Sequence, residues 1–297
     1  MRAVARGRSE ANGSAQDVVG RLIAQLVMAY PEGSDPRSWP LCAKLTPHLL
    51  ALRGACPDAA SDIAGWSVLL NRAGSYFFGR GAYSEAAPFL REGLAIDEKA
   101  FGPDHPTTAT ALNNLGLVLM EKGDLAAARP LFERALAIDE KARGPEHPST
   151  ATSLTNLASL LHDQGDLAGA RSLYERALAI NEKALGPEHP DTATNLSNLV
   201  RLLNKSGNTE EAEPLFQRAI AIGQKVLGVE HPLTQRYRSH CARLLLDTGR
   251  PGEALAFAET ALAVLVASSG PNHPWTKDST VGARWPLLED GPGFSGN

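Results

Sequence analysis

Long apolar runs, abundant aromatics and a strong charge of either sign are all missing from this chain. Tryptophan, tyrosine and phenylalanine together make up 6% of its 297 residues. No apolar stretch is expected to approach the length of a membrane span. The three cysteines, Cys42, Cys56 and Cys241, are odd in number and scattered. They have neither zinc-ligand nor CxxC spacing and are read as ordinary reduced thiols. A formal net charge of −4 gives no general attraction to nucleic acid or an acidic membrane. The basic start MRAVARGRSE runs into Ala-Asn-Gly-Ser instead of an apolar core, so it is not read as a secretion signal, and the cytoplasm is the expected location. No GxxxxGK[ST] occurs, which removes the glycines and lysine of a phosphate-cradling loop. Nor do serine, histidine and acidic residues assemble into a recognisable hydrolase constellation, and no catalytic, cofactor or metal residue is assigned.

What the chain does contain is a period. His105, His147, His189, His231 and His273 fall 42 residues apart. Four lie in a Gly-Pro-x-His-Pro phrase and one in Gly228-Val-Glu-His-Pro232. A fixed period of this size means one unit copied and stacked. Within the copy after His147, Leu154, Leu157, Ala158 and Leu161 recur at helical spacing. Gly165 ends that helix, and Asp166 is placed to cap the next. The second helix carries Ala170, Leu173, Tyr174, Ala177, Leu178 and Ile180, and stops at Gly186-Pro187. Each unit is therefore an antiparallel helical hairpin. Gly81, Gly123, Gly165, Gly207 and Gly249 keep the register, as do Ala86, Ala128, Ala170, Ala212 and Ala254. The histidines could be imagined as a metal ladder, but ligands of one zinc must converge to about 2.0–2.1 Å. Copies a whole hairpin apart cannot do so, and their Pro-flanked setting points to a role in shaping the connector.

Leu112, Leu115-Gly116, Leu119, Gly123, Ala128, Phe132 and Ala135 form the signature of the tetratricopeptide repeat (TPR), which this pattern resembles. The 42-residue length resembles the kinesin-light-chain type. The resemblance implies an all-α, right-handed superhelical solenoid of five hairpins at 62–101, 107–143, 149–185, 191–227 and 233–269. Residues 17–61 are expected to form a helical extension before the array. Residues 1–16 are expected to be disordered, and 274–297 to form a degenerate cap and a disordered tail. The extension, with Trp39-Pro40 and Leu49-Leu50, is similar to the segment preceding the C-terminal sensor of bacterial NB-ARC-type signalling ATPases.

Function is expected on the face of each first helix turned away from its core stripe. There the 3.6-residue period places Asn114, Asn156, Asn198 and His240, flanked by Asn71, Asn113, Thr155 and Ser197. One turn on come Ser75, Leu117, Ser159, Arg201 and Arg243, then Glu121, Asp163 and Lys205. Asparagine pairs a donor with an acceptor and suits a peptide backbone, while arginine's planar fork suits a carboxylate. Arg201, Lys205, Arg236 and Arg243 predict a basic C-terminal half. The resemblance implies a non-catalytic protein- or peptide-binding module. Its partner is expected to be an extended peptide, acidic or with a free C-terminal carboxylate. A stand-alone kinesin-light-chain-like adaptor and a regulatory subunit of an NB-ARC-type NTPase supplied in trans are the alternatives.

Overall fold

A computed structural model of the chain describes residues 17–32, 36–55, 63–269 and Thr276. The expected disorder of 1–16, the cap and tail beyond Thr276, and His273 lie outside the described residues. Every regular element among the described residues is helical, so the fold is all-α, built of TPR-type helices. The helices are α1 (17–29), α2 (Trp39–Ala55, preceded by a 3₁₀ turn at Pro36–Ser38), α3 (Ile63–Gly79), α4 (Tyr83–Phe101), α5 (Pro106–Glu121), α6 (Leu125–Ala142), α7 (Pro148–Gln164), α8 (Leu167–Ala184), α9 (Pro190–Lys205), α10 (Thr209–Val226), α11 (Pro232–Asp247) and α12 (Pro251–Ser269). The chain divides within α7 into two compact units, Met1–Leu160 and Leu161–Asn297.

The connectors show why the histidine phrase repeats. His105, His147, His189 and His231 each sit just before a first helix, and their Nδ1 atoms accept the backbone N–H of Thr107, Ser149, Asp191 and Leu233 at 3.0–3.2 Å. This is an N-cap made by imidazole, with proline at the first helical position where its missing N–H costs nothing. Accepting at Nδ1 places the neutral ring's proton on Nε2. The preceding glycines Gly102, Gly144, Gly186 and Gly228 have φ between 94° and 102°. A buried threonine closes the loop from behind: Thr108, Thr150 and Thr192 donate to the carbonyls of Gly102, Gly144 and Gly186 at 2.8–2.9 Å. In the next copy Gln235 Nε2 bonds to the Val229 carbonyl instead.

Between the helices of a hairpin, Gly81, Gly123, Gly165, Gly207 and Gly249 all have φ of 72–87°, the left-handed end the sequence predicts. Asp124 N bonds to Leu119 O and Gly123 N to Met120 O, both at 2.9 Å, which satisfies the last carbonyls of α5 in a Schellman arrangement. Asp124 and Asp166 cap α6 and α8 by accepting from Ala127 N and Gly169 N, as expected for Asp166.

In the first unit, α1 and α2 share one core with α3 and α4: Ile23, Tyr30, Cys42 and Leu49 pack with Trp66, Leu69, Leu70, Tyr76 and Phe89. Arg72 ties down the end of α1 by donating to the carbonyls of Val27 and Tyr30 at 2.5 and 2.9 Å. Arg53 pairs with Glu92 at 2.7 Å and lies 4.8 Å above the Phe89 ring. The extension is thus fastened to the first hairpin. In the next hairpin, Gly116 lets α5 approach α6 so closely that a Cβ there would lie 2.6 Å from the Phe132 ring. In the second unit a single core joins α9, α10, α11 and α12 through Leu196, Val200, Phe216, Ile220, Tyr237, Cys241, Leu245 and Ala254. Cys42 and Cys241 are buried free thiols.

One expectation fails in this unit. Residues Pro251–Ser268 of α12 have a mean hydropathy of 1.3 over 18 residues, long and apolar enough to cross a membrane, and 17% of that stretch is buried. Alternating alanine with leucine, phenylalanine and valine raises the average without a continuous bulky run. In the structure this helix forms a hairpin with α11, burying Ala254, Ala261 and Leu265.

Candidate functional site

The expected binding positions recur at i, i+4, i+7 and i+11, which is one stripe of a helix. In α5 the stripe is Thr110, Asn114, Leu117 and Glu121; in α9 it is Thr194, Asn198, Arg201 and Lys205; in α11 it is Arg236, His240, Arg243 and Asp247.

On the first unit the stripe is neutral to acidic. Asn114 is half-buried, and its Nδ2 donates to Asn71 Oδ1 at 3.4 Å. Asn156 is also half-buried. Glu121 is exposed and accepts the Tyr83 hydroxyl at 3.1 Å. Burial and the Glu121 charge push that phenol well above its ordinary range. Asn113 does not belong to the face. It is buried, and its Nδ2 donates to Ser153 Oγ at 2.7 Å, which in turn donates to Asp139 Oδ2 at 2.7 Å. One residue's step around a helix is about 100°, and that step carries Asn113 from the open face into the packing between repeats.

On the second unit α9 and α11 lie side by side, joined by three side-chain hydrogen bonds. These are Thr194 to Tyr237 at 2.8 Å, Ser197 to His240 Nδ1 at 2.7 Å and Asn204 Nδ2 to Asp247 Oδ2 at 2.7 Å. Every pair is separated by 43 residues, so the two helices run in the same direction in one register. The expected basic residues are brought together here, but with acids among them. Lys205 Nζ donates to the His162 carbonyl at 3.0 Å, where it stabilises the negative end of α7. Arg243 Nε lies 3.4 Å from Asp247 Oδ2. Arg201 is half-buried, and its Nη2 donates to the Tyr174 hydroxyl at 3.4 Å. Arg236 is half-buried.

Asn198 and His240 are corrected in the same way as Asn113. Asn198 is 6% exposed and His240 9%, so both lie at the floor of the face and present little surface to a ligand. Burial, reinforced by the positive charges of Arg236 and Arg201, holds the His240 imidazole well below its ordinary value, and the ring is neutral. Asp163 is exposed. Partial burial works to raise its carboxyl, but the His162 hydrogen bond at 3.0 Å and the charges of Arg201 and Lys205 outweigh that and hold it below the usual carboxylate range. Asp247, Asn204, His162 and Tyr174 are participants that sequence reasoning missed. Asp247 alone had a visible signal, because it continues the series of Glu121, Asp163 and Lys205 at the same 42-residue step. Among the described residues no group of three or more His, Cys, Asp or Glu side chains is placed to hold a metal ion.

The tetratricopeptide repeat family model matches residues 67–141, 107–183, 149–225 and 191–265, a continuous span covering most of the chain. The chain belongs to that family. A search among curated proteins finds no match. Among solved structures, the chain is similar to the nearly identical kinesin-light-chain TPR-like repeats of Podosopora anserina, at 28% identity with a TM-score of 0.53, covering 67% of this chain and 94% of that one. It shares its fold with BtubC (BKLC) from P. vanneervenii, at 20% identity with a TM-score of 0.57, covering 80% and 93%. It also shares its fold with the Rap conjugation gene regulator of plasmid pLS20 in complex with the Phr* peptide, at 15% identity with a TM-score of 0.64, covering 93% and 81%.

Proposed function

We propose that this TPR chain is a non-catalytic module that binds an extended, acidic peptide segment of another protein, with the α9–α11 face as the charged part of its site. The carrying observation is that two parallel first helices present Arg201, Lys205, Arg236 and Arg243 on adjacent stripes, opposed there by Asp163 and Asp247. Charge of one sign held on a rigid helical surface favours and steers a partner of the other sign. A segment ending in a free carboxylate suits the same groups, since guanidinium forks bind carboxylates in bidentate geometry. The peptide bound by the plasmid pLS20 regulator supports the use of this fold for peptide capture. The role is that of a sensor or scaffold in the cytoplasm, and the kinesin-light-chain likeness keeps a cargo-type adaptor within the same reading.

A second reading, regulation of an NB-ARC-type NTPase supplied in trans, draws on the N-terminal hairpin. Val18, Leu22, Met28, Leu41 and Leu50 are exposed on α1 and α2. Apolar side chains gathered on one exposed surface favour a partner there.

The test is recovery of partners from native lysate with the wild-type chain and with the double variant Arg201→Glu, Arg243→Glu. The variant is expected to lose the partner. Arg201→Gln with Arg243→Gln puts no carboxylate beside Asp163 at the half-buried Arg201 position, and is expected to weaken binding with a melting curve closer to wild type. Wild-type binding is expected to weaken with salt, because exposed charges are screened over about 10 Å at 0.1 M. A partner held at full strength by the variant, or more tightly at high salt, would move the site off this face.

A further inference from the structure

Neighbouring copies of the unit are so alike that the order in which they stack needs its own instruction. Glu133–Pro148 and Glu175–Pro190 are the same sequence except at two places, Asp139 against Asn181 and Arg143 against Leu185. Both places belong to one buried junction. Asp139 is 3% exposed, its Oδ2 accepts Ser153 Oγ from the next first helix at 2.7 Å, and Arg143 Nε lies 3.5 Å from its Oδ1. Where asparagine removes the acid, leucine removes its counter-ion.

The same two positions, fourteen residues apart, carry a different pair at each junction between the described hairpins. From α4 to α5 the pair is Asp97 and Ala111, both fully buried. Ala111 has no hydroxyl to offer, and Asp97 accepts Ser67 Oγ of its own hairpin at 2.5 Å while its Oδ2 has no partner. From α6 to α7 it is Asp139 and Ser153; from α8 to α9 it is Asn181 and Asn195, 4% and 2% exposed. From α10 to α11 it is Gly223 and Tyr237. A Cβ on Gly223 would lie 3.1 and 3.2 Å from two carbons of the Tyr237 ring, so the ring fills the place that the earlier side chains take. An acid or amide facing Tyr237 would overpack that place, and glycine facing Ser153 or Asn195 would leave a void beside a buried polar group. We propose that the buried pair at each junction is an address. It fixes which hairpin stacks on which, and it reserves the α11–α12 hairpin for α10 against the like faces of α6 and α8, in this chain or in a second copy.

The test uses full-length variants and thermal melts followed by circular dichroism. Gly223→Asn is expected to lower the melting midpoint by about 3–9 °C, the shift that overpacking a core produces in a chain of this size. In a Tyr237→Asn background, where it recreates the α8–α9 pair, the same change should raise the midpoint instead. Asn195→Tyr should lower it, and adding Asn181→Gly should restore most of the loss. A Gly223→Asn effect of the same sign in both backgrounds, or an Asn195→Tyr loss that Asn181→Gly does not relieve, would overturn the pairing. Order is read from refolding. The Asn181→Gly, Asn195→Tyr chain and the Gly223→Asn, Tyr237→Asn chain each carry one address twice. Diluted from urea over a range of protein concentrations, both should form a larger oligomeric fraction than wild type, measured by light scattering after size exclusion. A fraction equal to that of wild type in either chain would leave the pairing intact and overturn its role in setting the order.

Discussion

Replacing Gly116 by alanine sets two opposed effects against each other in one helix. Alanine is a better helix former than glycine by about 0.8–1.0 kcal/mol, so on an exposed surface the change would stabilise α5. Here the new methyl would lie 2.6 and 2.9 Å from two carbons of the Phe132 ring, well inside the 3.5–4.0 Å optimum for carbon contacts. Phe132 is fully buried and has no open space to retreat into. Overpacking of a filled core costs about 1–3 kcal/mol, so Gly116→Ala is expected to destabilise by about 1 kcal/mol after the propensity gain is subtracted. The second unit shows the relaxation that limits this cost. Val200 occupies the equivalent position there, and its neighbour Phe216 has moved out to 6% exposure. In a Phe132→Leu background the clash is gone, and the same Gly116→Ala change should stabilise by nearly 1 kcal/mol. Urea melts of the four proteins give the coupling directly, expected at about 2 kcal/mol. If Gly116→Ala has the same effect in both backgrounds, the close approach of α5 to α6 is not what requires glycine.

Two further outcomes follow from the connectors and the charged face. His147→Ala should cost about 1 kcal/mol in urea melts, as loss of an N-cap acceptor does, and His147→Asn should recover most of it. Gly165→Val should cost somewhat more, about 1–2 kcal/mol, because Gly165 sits at φ 87° where a β-branched residue is strained; a reversed order would contradict the left-handed helix end. For pH, His240 is neutral when folded and is held well below the ordinary value of 6.5. The unfolded chain therefore takes up a proton that the folded chain refuses as pH falls below that value. Stability should decline between about pH 7 and 5, and His240→Asn should flatten that decline. Asp163 works in a lower window. Its carboxyl is held below 3.8 in the folded chain, so its contribution is present above that pH and is lost only as pH falls further.

Much of the fold was legible because its instructions are local and repeated. A glycine at the same place in every copy is a demand for positive φ, and the observed values of 72–87° meet it. Asp166 was legible as a cap because it follows the helix-ending glycine and precedes an apolar-periodic run. The histidines show the limit of such reading. Their context marked them as connector residues, but imidazole is not a common cap, and only the geometry identifies Nδ1 as the acceptor for the next helix. The threonine three residues after each histidine, Thr108 and its equivalents, is as regular as the histidine, yet a hydroxyl in a helix's first turn has no unique partner in sequence. The apolarity of α12 was missed for another reason. Spacing was read for long continuous runs, while that helix reaches its average through small and large apolar residues in alternation, with Glu253 and Glu259 inside it.

The site was legible as a set of positions and not as a set of free groups. Periodicity places Asn113 beside Asn114, but one is committed to the Ser153–Asp139 chain and the other faces outward. It also gathers four cations on α9 and α11, and the matching stripes of α7 and α11 carry the carboxylates that answer them. Four positive charges against Asp163 and Asp247 leave a surplus of two, half of what the bases alone imply. What a partner meets is therefore set by which cation each internal acid engages. Arg243 shares Asp247 with Asn204, and Lys205 is drawn to the end of α7. Arg201 donates to the Tyr174 hydroxyl and, with Lys205, holds the Asp163 carboxyl down, while Arg201 and Arg236 add to the burial that keeps His240 neutral. An acidic peptide must therefore compete with Asp163 and Asp247 for these cations. Removing one internal charge, as in Asp247→Asn, should raise the affinity of the face for an acidic partner, and an unchanged or lower affinity in that variant would refute the competition.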